Sequence, residues 1–394
     1  MATAYLLREL EEIDQDLEIT VFGDEREFCY NRVLLSKVLS GETPEQELEI
    51  LDHSRPPAAK FLTNTRVVHI DPQEKSVLCE HGSSHSYDLL AIATGASVAR
   101  PPLDCSGVEG VMKFRSLADT RQLRKLESRG KSAVVVGGGL LGLEAAHGLN
   151  ELGFATTVVH RNPVLMNRQL DLSGGRQLQS DLESRGIGFR LDCNLEKLFT
   201  HQRAVSGVLL GNGEQLASDL LLFATGIVPN IDICVGAGLR TDRGVLINEN
   251  LRTSGEDIYA LGECAQFGEH CFGLVAPIRE QARVLARQLS GLSGPAYTVS
   301  DTPTQLKISG IDIYRAGKLD DSAEQLLLRD EIAGVYRRLV VRDNKLIGAL
   351  LVGDNRGGTW YADLIHSQRN IKGLRPGLMF GQDVSEAVLP QAAA

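Results

Sequence analysis

The sequence predicts an α/β fold built on parallel sheets, and three observations support this prediction. Residues 133–146, AVVVGGGLLGLEAA, join an apolar β-branched run to a glycine-rich turn and a helix of small residues. Strand and helix patterns alternate over residues 116–230, as in successive βαβ units. The segment 87–95 recurs in pattern at 218–226, which indicates two copies of one unit. A chain of 394 residues has room for two or three domains of this kind.

The glycine-rich turn has the spacing of a dinucleotide-binding loop. Gly137 permits the tight turn, Gly139 lets the backbone approach a pyrophosphate, and Gly142 lets the helix pack close to the strand. The diphosphate would lie on free N–H groups at the positive end of the helix. Because the strand before and the helix after are both present, a dinucleotide site is favoured over a chance glycine-rich turn. The predicted contacts are Gly137, Gly138, Gly139, Leu140, Leu141 and Gly142.

Both copies of the repeated segment end in Ala-Thr-Gly, at residues 93–95 and 224–226. Small residues at the end of a strand let the backbone run close to a bound nucleotide or flavin. We therefore predict nucleotide contacts at Ala93, Thr94, Gly95 and Gly226. The alternative is two buried strands with similar turns.

The first copy of the unit begins differently from the second. The chain opens on MATAYLLRELEE, which is followed by a strand pattern at 17–23. Aligning residues 1–4 with residues 140–143 places the counterpart of 133–139 before residue 1. We therefore expect that the chain starts inside a first nucleotide-binding loop, through a misplaced start codon or a truncation, because a Rossmann half normally has its first strand at the centre of its sheet.

Composition narrows the classes of partner and compartment. A net charge of −10 with no basic tract argues against nucleic acid or an anionic membrane as partner, because phosphates are neutralised by clustered Lys and Arg. There is no signal-peptide pattern and no apolar run of the ~18 residues that a membrane span needs, so the cytoplasm is the expected compartment. The seven cysteines are scattered without a C-x-x-C pair, which predicts reduced, mostly buried thiols and no metal site.

Several segments in chain order resemble the FAD-dependent pyridine nucleotide oxidoreductases over residues 1 to about 290. They are 21–25, 30–37, 93–95, 137–144, 224–226 and 259–264. More specifically, four segments look like the flavoprotein portion of the large subunit of assimilatory NAD(P)H nitrite reductases: 31–42, 137–149, 273–286 and 302–317. The last segment discriminates best, because it lies outside the generic nucleotide-binding domains.

The resemblance implies FAD held between two Rossmann-like domains, with the second inserted in the first and carrying NADH or NADPH. Short apolar runs after residue 297, separated by polar turns, fit a small C-terminal α+β domain. The expected division is an FAD-binding domain at 1–115 and 231–293, without its first strand and glycine loop, an NAD(P)H-binding domain at 116–230, and the C-terminal domain at 294–394.

The resemblance also implies FAD contacts in the first domain. Asp24 or Glu25 would accept hydrogen bonds from the adenosine ribose. Arg32 and Lys37 match positions near the flavin and its diphosphate, where positive charge stabilises the anionic reduced flavin. For all four residues the alternative is an ordinary solvated surface charge.

Further FAD contacts are implied in the second part of the first domain. Gly262 and Glu263 stand where the family usually has Gly-Asp touching the ribityl chain, and the longer Glu leaves the geometry of that contact open. Residues Leu274, Val275 and Ala276 would pass along the pyrimidine end of the ring, with an apolar turn that packs the core as the alternative.

For the nicotinamide nucleotide, the residue about twenty positions after the glycine loop distinguishes the two cofactors, since an acid there favours NADH. His160 and Arg161 occupy this place and indicate NADPH or dual use, unless they form a solvated strand end. Arg168 would add to a phosphate pocket or make a surface ion pair. Glu144 matches a family acid near the nicotinamide–flavin contact, or is an exposed helix carboxylate.

Hydride transfer between nicotinamide and flavin needs no protein acid or base, so no residue is assigned as catalytic beyond Lys37 and Glu144 as neighbours of the two rings. The C-x-x-x-x-C pair of the disulfide-reductase branch is absent, and Ser40 lies near the place of the single cysteine of the peroxidase branch. The predicted function is therefore an FAD-dependent NAD(P)H oxidoreductase that passes electrons to a separate one-electron acceptor, in nitrite reduction during nitrate assimilation.

The expected partner is an iron–sulfur/sirohaem nitrite reductase component or a small iron–sulfur carrier, and a homodimer is left open. The alternatives are a rubredoxin or ferredoxin reductase and, from another class, a nucleotide-binding protein without turnover.

Overall fold

The computed structural model describes residues 1–13, 17–51, 59–99, 103–299 and 303–387. The helices in these ranges are α1 (Ala2–Ile13), α2 (Leu35–Ser40), α3 (Leu117–Arg124), α4 (Leu140–Glu151), α5 (Leu172–Glu183), α6 (Asp232–Gly236), α7 (Val275–Leu289), α8 (Gly358–Ser367) and α9 (Gln382–Ala387). Within the described ranges, no helix combines the length and the apolar character needed to cross a bilayer.

The strands in the described ranges are β1 (Ile19–Phe22), β2 (Ala59–Leu62), β3 (Val67–Asp71), β4 (Ser76–Cys79), β5 (Ser84–Ser86), β6 (Leu90–Ile92), β7 (Ala96–Val98), β8 (Val111–Lys113), β9 (Ser132–Val136), β10 (Ala155–Val159), β11 (Gly188–Arg190), β12 (Leu195–His201), β13 (Ala204–Leu210), β14 (Gln215–Ala217), β15 (Leu220–Phe223), β16 (Ile227–Pro229), β17 (Val245–Ile247), β18 (Ile258–Ala260), β19 (Ala265–Phe267), β20 (His270–Cys271), β21 (Thr304–Ile308), β22 (Ile311–Gly317), β23 (Glu324–Asp330), β24 (Val335–Arg342) and β25 (Lys345–Val352).

The chain forms two compact units, and the first is assembled from three stretches of sequence: Met1–Ala99, Arg115–Gln122 and Gly226–Ser300. Its parallel pairs are β1 with β2 and β6 with β18. Helix α1 packs on α7, because its leucines recur at helical spacing and bury one face. The core of the unit joins these helices to β18.

The second unit contains Arg100–Phe114, Leu123–Thr225 and Asp301–Ala394. Its parallel sheet has the order β11-β10-β9-β15-β8, with β9 at the centre. The β-branched run of β9 is almost fully buried, which is typical of a parallel strand covered on both faces. Helix α4 packs on β9 and β10, so the glycine-rich turn lies at the carboxyl end of the central strand.

The C-terminal part of the second unit is an antiparallel sheet of order β21-β22-β25-β24-β23. Helix α8 covers it, with Trp360 and Tyr361 in a shared apolar core. Helix α5 also packs against β24 and β25, so this sheet and the parallel sheet share one unit. The predicted α/β class with a small C-terminal α+β part is confirmed.

The compact units cut across all three expected domain boundaries. Residues 103–114, expected in the FAD-binding domain, lie in the second unit, and residues 294–299, expected in the C-terminal domain, lie in the first. Residues 115–122 and 226–230 lie in the first unit, although the sequence had placed nearly all of them in the NAD(P)H-binding stretch. The physical reason is that β16, directly after the second Ala-Thr-Gly, pairs with β7, directly after the first. The assignment of each stretch to a particular cofactor stays a prediction.

Candidate functional site

The glycine-rich turn after β9 depends on two glycines for its shape. Gly137 has a φ of +126°, and a Cβ there would overlap the carbonyl group of Ala224. A Cβ on Gly142 would overlap the carbonyl oxygen of Gly137. Any side chain at either position would therefore push α4 away from the sheet, as the spacing of the motif predicts.

Gly139 has a different role, because it borders open space. It is the N-cap of α4 and provides no side-chain cap, and a Cβ built on it would meet nothing within 4 Å. Leu140 and Leu141 follow as the first helical residues, and the first turn carries no acid. The amides at the start of α4 therefore border an open space, called the cradle below, which a side chain on Gly139 would fill. Such a space beside free amides fits the diphosphate of a dinucleotide.

His160 directly follows β10 and is buried, with 9% of its surface exposed. Its Nδ1 accepts a hydrogen bond from the Gly138 N–H at 3.1 Å. Burial is the largest cause that lowers the pKa of His160 below its usual value. The alternative of a solvated strand end therefore does not describe His160, whose ring supports the glycine-rich turn from inside the unit.

Arg161 and Arg168 are exposed, and neither guanidinium makes a hydrogen bond or ion pair with the described residues. Both are thus free to meet an anionic ligand. Glu144 lies half-buried on α4. Gly226, at the end of the second Ala-Thr-Gly, has a φ of +116° and no atom within 4 Å of a built Cβ.

The first Ala-Thr-Gly turn is held by Asn230, which the sequence analysis did not identify. Thr94 Oγ1 donates to the Asn230 carbonyl at 2.7 Å, and Asn230 Nδ2 donates to the Thr94 carbonyl at 2.9 Å. The Asn230 N–H donates to the carbonyl of Gly95, whose φ is +67°. Ala93 and Gly95 are half-buried and Thr94 is exposed. The position of Asn230, four residues after the second Ala-Thr-Gly, was the available signal.

The acidic turn after β1 is already engaged by neighbouring side chains. Tyr30 donates to Glu25 Oε2 at 2.6 Å, and Arg32 forms an ion pair with Glu25 Oε1. Burial lowers the pKa of Arg32 to about 10. Asp24 is the more exposed acid and lies 3.9 Å from Arg66. Of the two acids predicted for the adenosine ribose, Asp24 is therefore the more accessible.

Glu263 is paired with Arg115, a second residue that the sequence analysis missed. Arg115 also donates from Nε to the Ala96 carbonyl at 3.2 Å. Gly262 has a φ of +83° and donates its N–H to Gln281 Oε1 at 2.8 Å. A Cβ on Gly95 would lie 3.8 Å from Glu263 Oε2, so the structure brings two predicted FAD residues together.

Of the remaining predicted FAD residues, which all lie in the first unit, Lys37, Leu274 and Ala276 are exposed and Val275 is half-buried. Lys37 lies in the last turn of α2. Leu274 is the N-cap of α7 and is 37% exposed, and Val275 and Ala276 begin that helix, which has no side-chain cap and no acid in its first turn. Leu274 therefore does not pack the core. The exposed Lys37 and the uncapped amides at the start of α7 are each of a kind that can bind a flavin diphosphate.

Metal ligation and disulfide exchange find no support in the described part of the chain. No group of three or more His, Cys, Asp or Glu side chains there could hold a metal ion. The seven cysteines, all in the described ranges, form no disulfide bond, and Cys264 is buried whereas Cys271 is exposed.

The open amides at Gly139 in one unit, and the glycine turns in the other, fit a protein that binds two nucleotides. Residues 1–286 match the family model for pyridine nucleotide-disulphide oxidoreductases, and residues 303–369 match the C-terminal domain of rubredoxin NAD+ reductases. The chain belongs to the pyridine nucleotide-disulphide oxidoreductase family. This confirms the predicted family, the FAD-dependent NAD(P)H oxidoreductase class and the two cofactors.

Relatives of two kinds are similar to this chain. The nitrite reductase [NAD(P)H] of Bacillus subtilis is 37% identical over 93% of this chain and 46% of its own length. The rubredoxin-NAD(+) reductase of Pseudomonas putida is 31% identical over 74% of this chain and 78% of its own length. The chain therefore spans about half the length of the nitrite reductase and most of the rubredoxin reductase.

A solved structure of a covalent putidaredoxin reductase–putidaredoxin complex contains a chain with the same fold. It superposes with a TM-score of 0.84 at 21% identity and covers 98% of this chain and 95% of that one. At this level of identity the likeness establishes the fold alone.

Proposed function

We propose that this chain is the FAD-dependent module that oxidises NAD(P)H and passes electrons to a separate one-electron acceptor in nitrite reduction. The observation that carries the proposal is the open amide cradle at Gly139, in a chain that also has the exposed Lys37 and the uncapped amides at the start of α7. The similarity to a nitrite reductase over 93% of this chain supports the choice of pathway.

In this proposal the two nucleotides use different residues. Gly137, Gly139 and Gly142 shape the cradle for the nicotinamide dinucleotide diphosphate, and Arg161 faces its ribose. Arg32, Lys37 and the start of α7 place positive charge beside the flavin and its diphosphate, while Thr94 and Glu263 line its other side.

Arg32, Lys37 and the start of α7 would hold FAD, and the chemistry that it would supply there is the uptake of a hydride from the nicotinamide and the release of electrons singly or in pairs. The part of the protein in that chemistry is to bind, orient and exclude water. No side chain has to take up or release a proton, which agrees with the lack of a histidine or cysteine among the predicted FAD contacts.

The second candidate is a reductase of a small iron–sulfur carrier such as a rubredoxin or ferredoxin. It is favoured by the C-terminal match at residues 303–369 and by the rubredoxin reductase that is aligned over 78% of its own length. Both candidates share the flavin and the nicotinamide nucleotide and differ only in the acceptor.

One experiment separates these candidates from a nucleotide-binding protein without turnover. The purified protein is examined for a flavin spectrum and is then mixed anaerobically with NADH or NADPH. We expect bleaching of the flavin, followed by reoxidation on addition of an iron–sulfur/sirohaem nitrite reductase component. Faster reoxidation by rubredoxin or ferredoxin would favour the second candidate, and a flavin that neither nucleotide bleaches would contradict both.

We also propose a cytoplasmic location, which is supported by the lack of a disulfide bond among the described cysteines, because reduced cysteines suit a reducing compartment. A homodimer stays a prediction that sedimentation velocity of the purified protein would check.

A further inference from the structure

Gly138, the middle glycine of the glycine-rich turn, has its N–H bonded to the imidazole of His160. The Gly138 N–H donates to His160 Nδ1 at 3.1 Å, and the Gly138 carbonyl accepts from the Met166 N–H at 2.9 Å. A Cβ on Gly138 would lie 2.7 Å from Cγ of His160. The ring is therefore packed directly beneath the peptide that precedes the open cradle at Gly139.

His160 is itself fixed by the backbone around it. Its N–H donates to the Arg190 carbonyl at 2.8 Å, and its own carbonyl accepts from the Cys193 N–H at 3.1 Å. These bonds hold the backbone of His160 at the carboxyl end of β10, independently of the glycine-rich turn. The direction of the Gly138 amide is thus set by the position of Nδ1.

The hydrogen bond requires a particular protonation state. Only a neutral imidazole with its proton on Nε2 has a lone pair at Nδ1 that can accept from an N–H. A second proton would place two donors against each other. The groups that face the ring are the side chain of Asn167 and the backbone of Val164, which favour the protonated form, and Arg161, which opposes it. Burial opposes it most, so the pKa of His160 lies below its usual value.

We propose that His160 is a positioning residue for the nicotinamide nucleotide: by accepting the Gly138 N–H it orients the turn, and the turn loses affinity for the diphosphate when His160 is protonated. This inference rests on the proposed function, in which the turn binds the diphosphate of NADH or NADPH. His160 then acts through Gly138 and not by contact with the 2′-phosphate, which is the role left to Arg161.

Two substitutions distinguish the position of the acceptor from the mere presence of a polar side chain. His160→Asn keeps an acceptor oxygen near the place of Nδ1, whereas His160→Gln moves it to about the place of Nε2. The probe is ADP-ribose, which carries the diphosphate and lacks the acid-labile reduced ring. Its affinity for the full chain with bound FAD is measured by calorimetry from about pH 8 to about pH 5.5, a range that brackets imidazole titration.

At about pH 8 we expect the wild type and His160→Asn to bind ADP-ribose with similar affinity, and His160→Gln to bind it about tenfold more weakly, which corresponds to one lost hydrogen bond. Towards about pH 5.5 the affinity of the wild type should fall relative to that of His160→Asn. With NADH as substrate, His160→Gln should raise KM and leave kcat near the wild-type value, since only binding is affected.

Equal affinity of His160→Gln and the wild type at about pH 8, or an acid loss in His160→Asn as large as that of the wild type, would overturn the inference. Thermal unfolding and flavin content report whether each variant folds. If His160→Gln does not fold, the comparison of the wild type with His160→Asn across pH decides alone. A wild type that binds neither ADP-ribose nor its 2′-phosphate form would overturn the nicotinamide assignment of the proposed function, and with it this inference.

Discussion

The Arg115 guanidinium is paired with the Glu263 carboxylate across 148 residues of sequence, and the two side chains are only 14% and 19% exposed. The backbone carbonyl of Arg115 accepts from Arg32 Nη1 at 3.0 Å, and Arg32 in turn pairs with Glu25. Three of the residues predicted for FAD are therefore linked through Arg115. The pair lies beside Gly95, so its loss would disturb the candidate flavin site as well as the first unit.

Arg115→Ala should lower the free energy of unfolding by about 2 kcal/mol and weaken FAD retention, because it leaves the Glu263 carboxylate mostly buried without its cation. Urea unfolding and the flavin-to-protein absorbance ratio measure the two effects. The double variant Arg115→Ala/Glu263→Gln should recover part of the stability, since the unpaired charge is removed. A double variant less stable than Arg115→Ala would contradict this reading of the pair.

Gly139→Val should abolish flavin reduction by NADH and NADPH while FAD stays bound, because the branched side chain would fill the cradle that the diphosphate needs. The space around Gly139 is open, so the fold itself tolerates the change. Anaerobic stopped-flow absorbance measures the reduction.

Gly142→Ala is the comparison for Gly139→Val, because it also adds a side chain to the glycine-rich turn but at a position without space for one. Its Cβ would overlap the carbonyl oxygen of Gly137, so it should destabilise the second unit by about 3 kcal/mol. Flavin reduction at the wild-type rate in Gly139→Val would remove the dinucleotide assignment of this turn.

Arg161→Glu should weaken NADPH binding and spare NADH. Arg161 is exposed and has no hydrogen bond or ion pair within the described ranges, so it is available to hold a 2′-phosphate. A charge-assisted hydrogen bond of this kind contributes about 1.5–3 kcal/mol, or roughly ten- to a hundredfold in affinity. Stopped-flow flavin reduction with each nucleotide, in the wild type and in Arg161→Glu, measures the ratio of the NADPH rate to the NADH rate. An unchanged ratio in Arg161→Glu would show that this arginine points into solvent.

Asp171→Asn should lower the free energy of unfolding by about 3 kcal/mol, because it removes one member of a mostly buried ion pair. Asp171 Oδ2 accepts from Arg338 and from Tyr336, both at 2.8 Å, and Oδ1 caps α5 at the Gly174 N–H. Asparagine keeps the cap and loses the charge. Asp321→Asn is the control, because Asp321 also pairs with Arg338 but is 92% exposed, and its urea curve should match that of the wild type. Equal changes in the free energy of unfolding for the two variants would contradict a stabilising role of the ion pair between Asp171 and Arg338.

Stability should decrease as the pH falls below about 6.5, in part through His160. Its pKa is lowered in the folded state, so the unfolded chain binds a proton first and unfolding is favoured as the pH falls from the ordinary histidine value towards the folded one. His160→Asn should make the free energy of unfolding less dependent on pH in this range. Urea unfolding at several pH values measures it, and identical slopes in the two proteins would assign the effect to other groups.

The local features of the nucleotide turn were predictable from the sequence. The strand, Gly137, Gly139, Gly142 and the following helix are adjacent in the chain, and their conformations follow from backbone sterics and helix geometry. The Ala-Thr-Gly repeat likewise indicated two related units, and the structure pairs the strands β7 and β16 that follow the two copies.

The sequence by itself thus determined the fold class and the position of the glycine-rich turn between β9 and α4, because these depend on residues close together in the chain. Only the tertiary structure decided that Arg115 meets Glu263, that Asn230 holds Thr94, and that His160 turns inward to Gly138. These contacts join residues 148, 136 and 22 positions apart. Which side chain meets a given partner at such separations depends on how the sheets and turns pack, and no local pattern of residues encodes that packing.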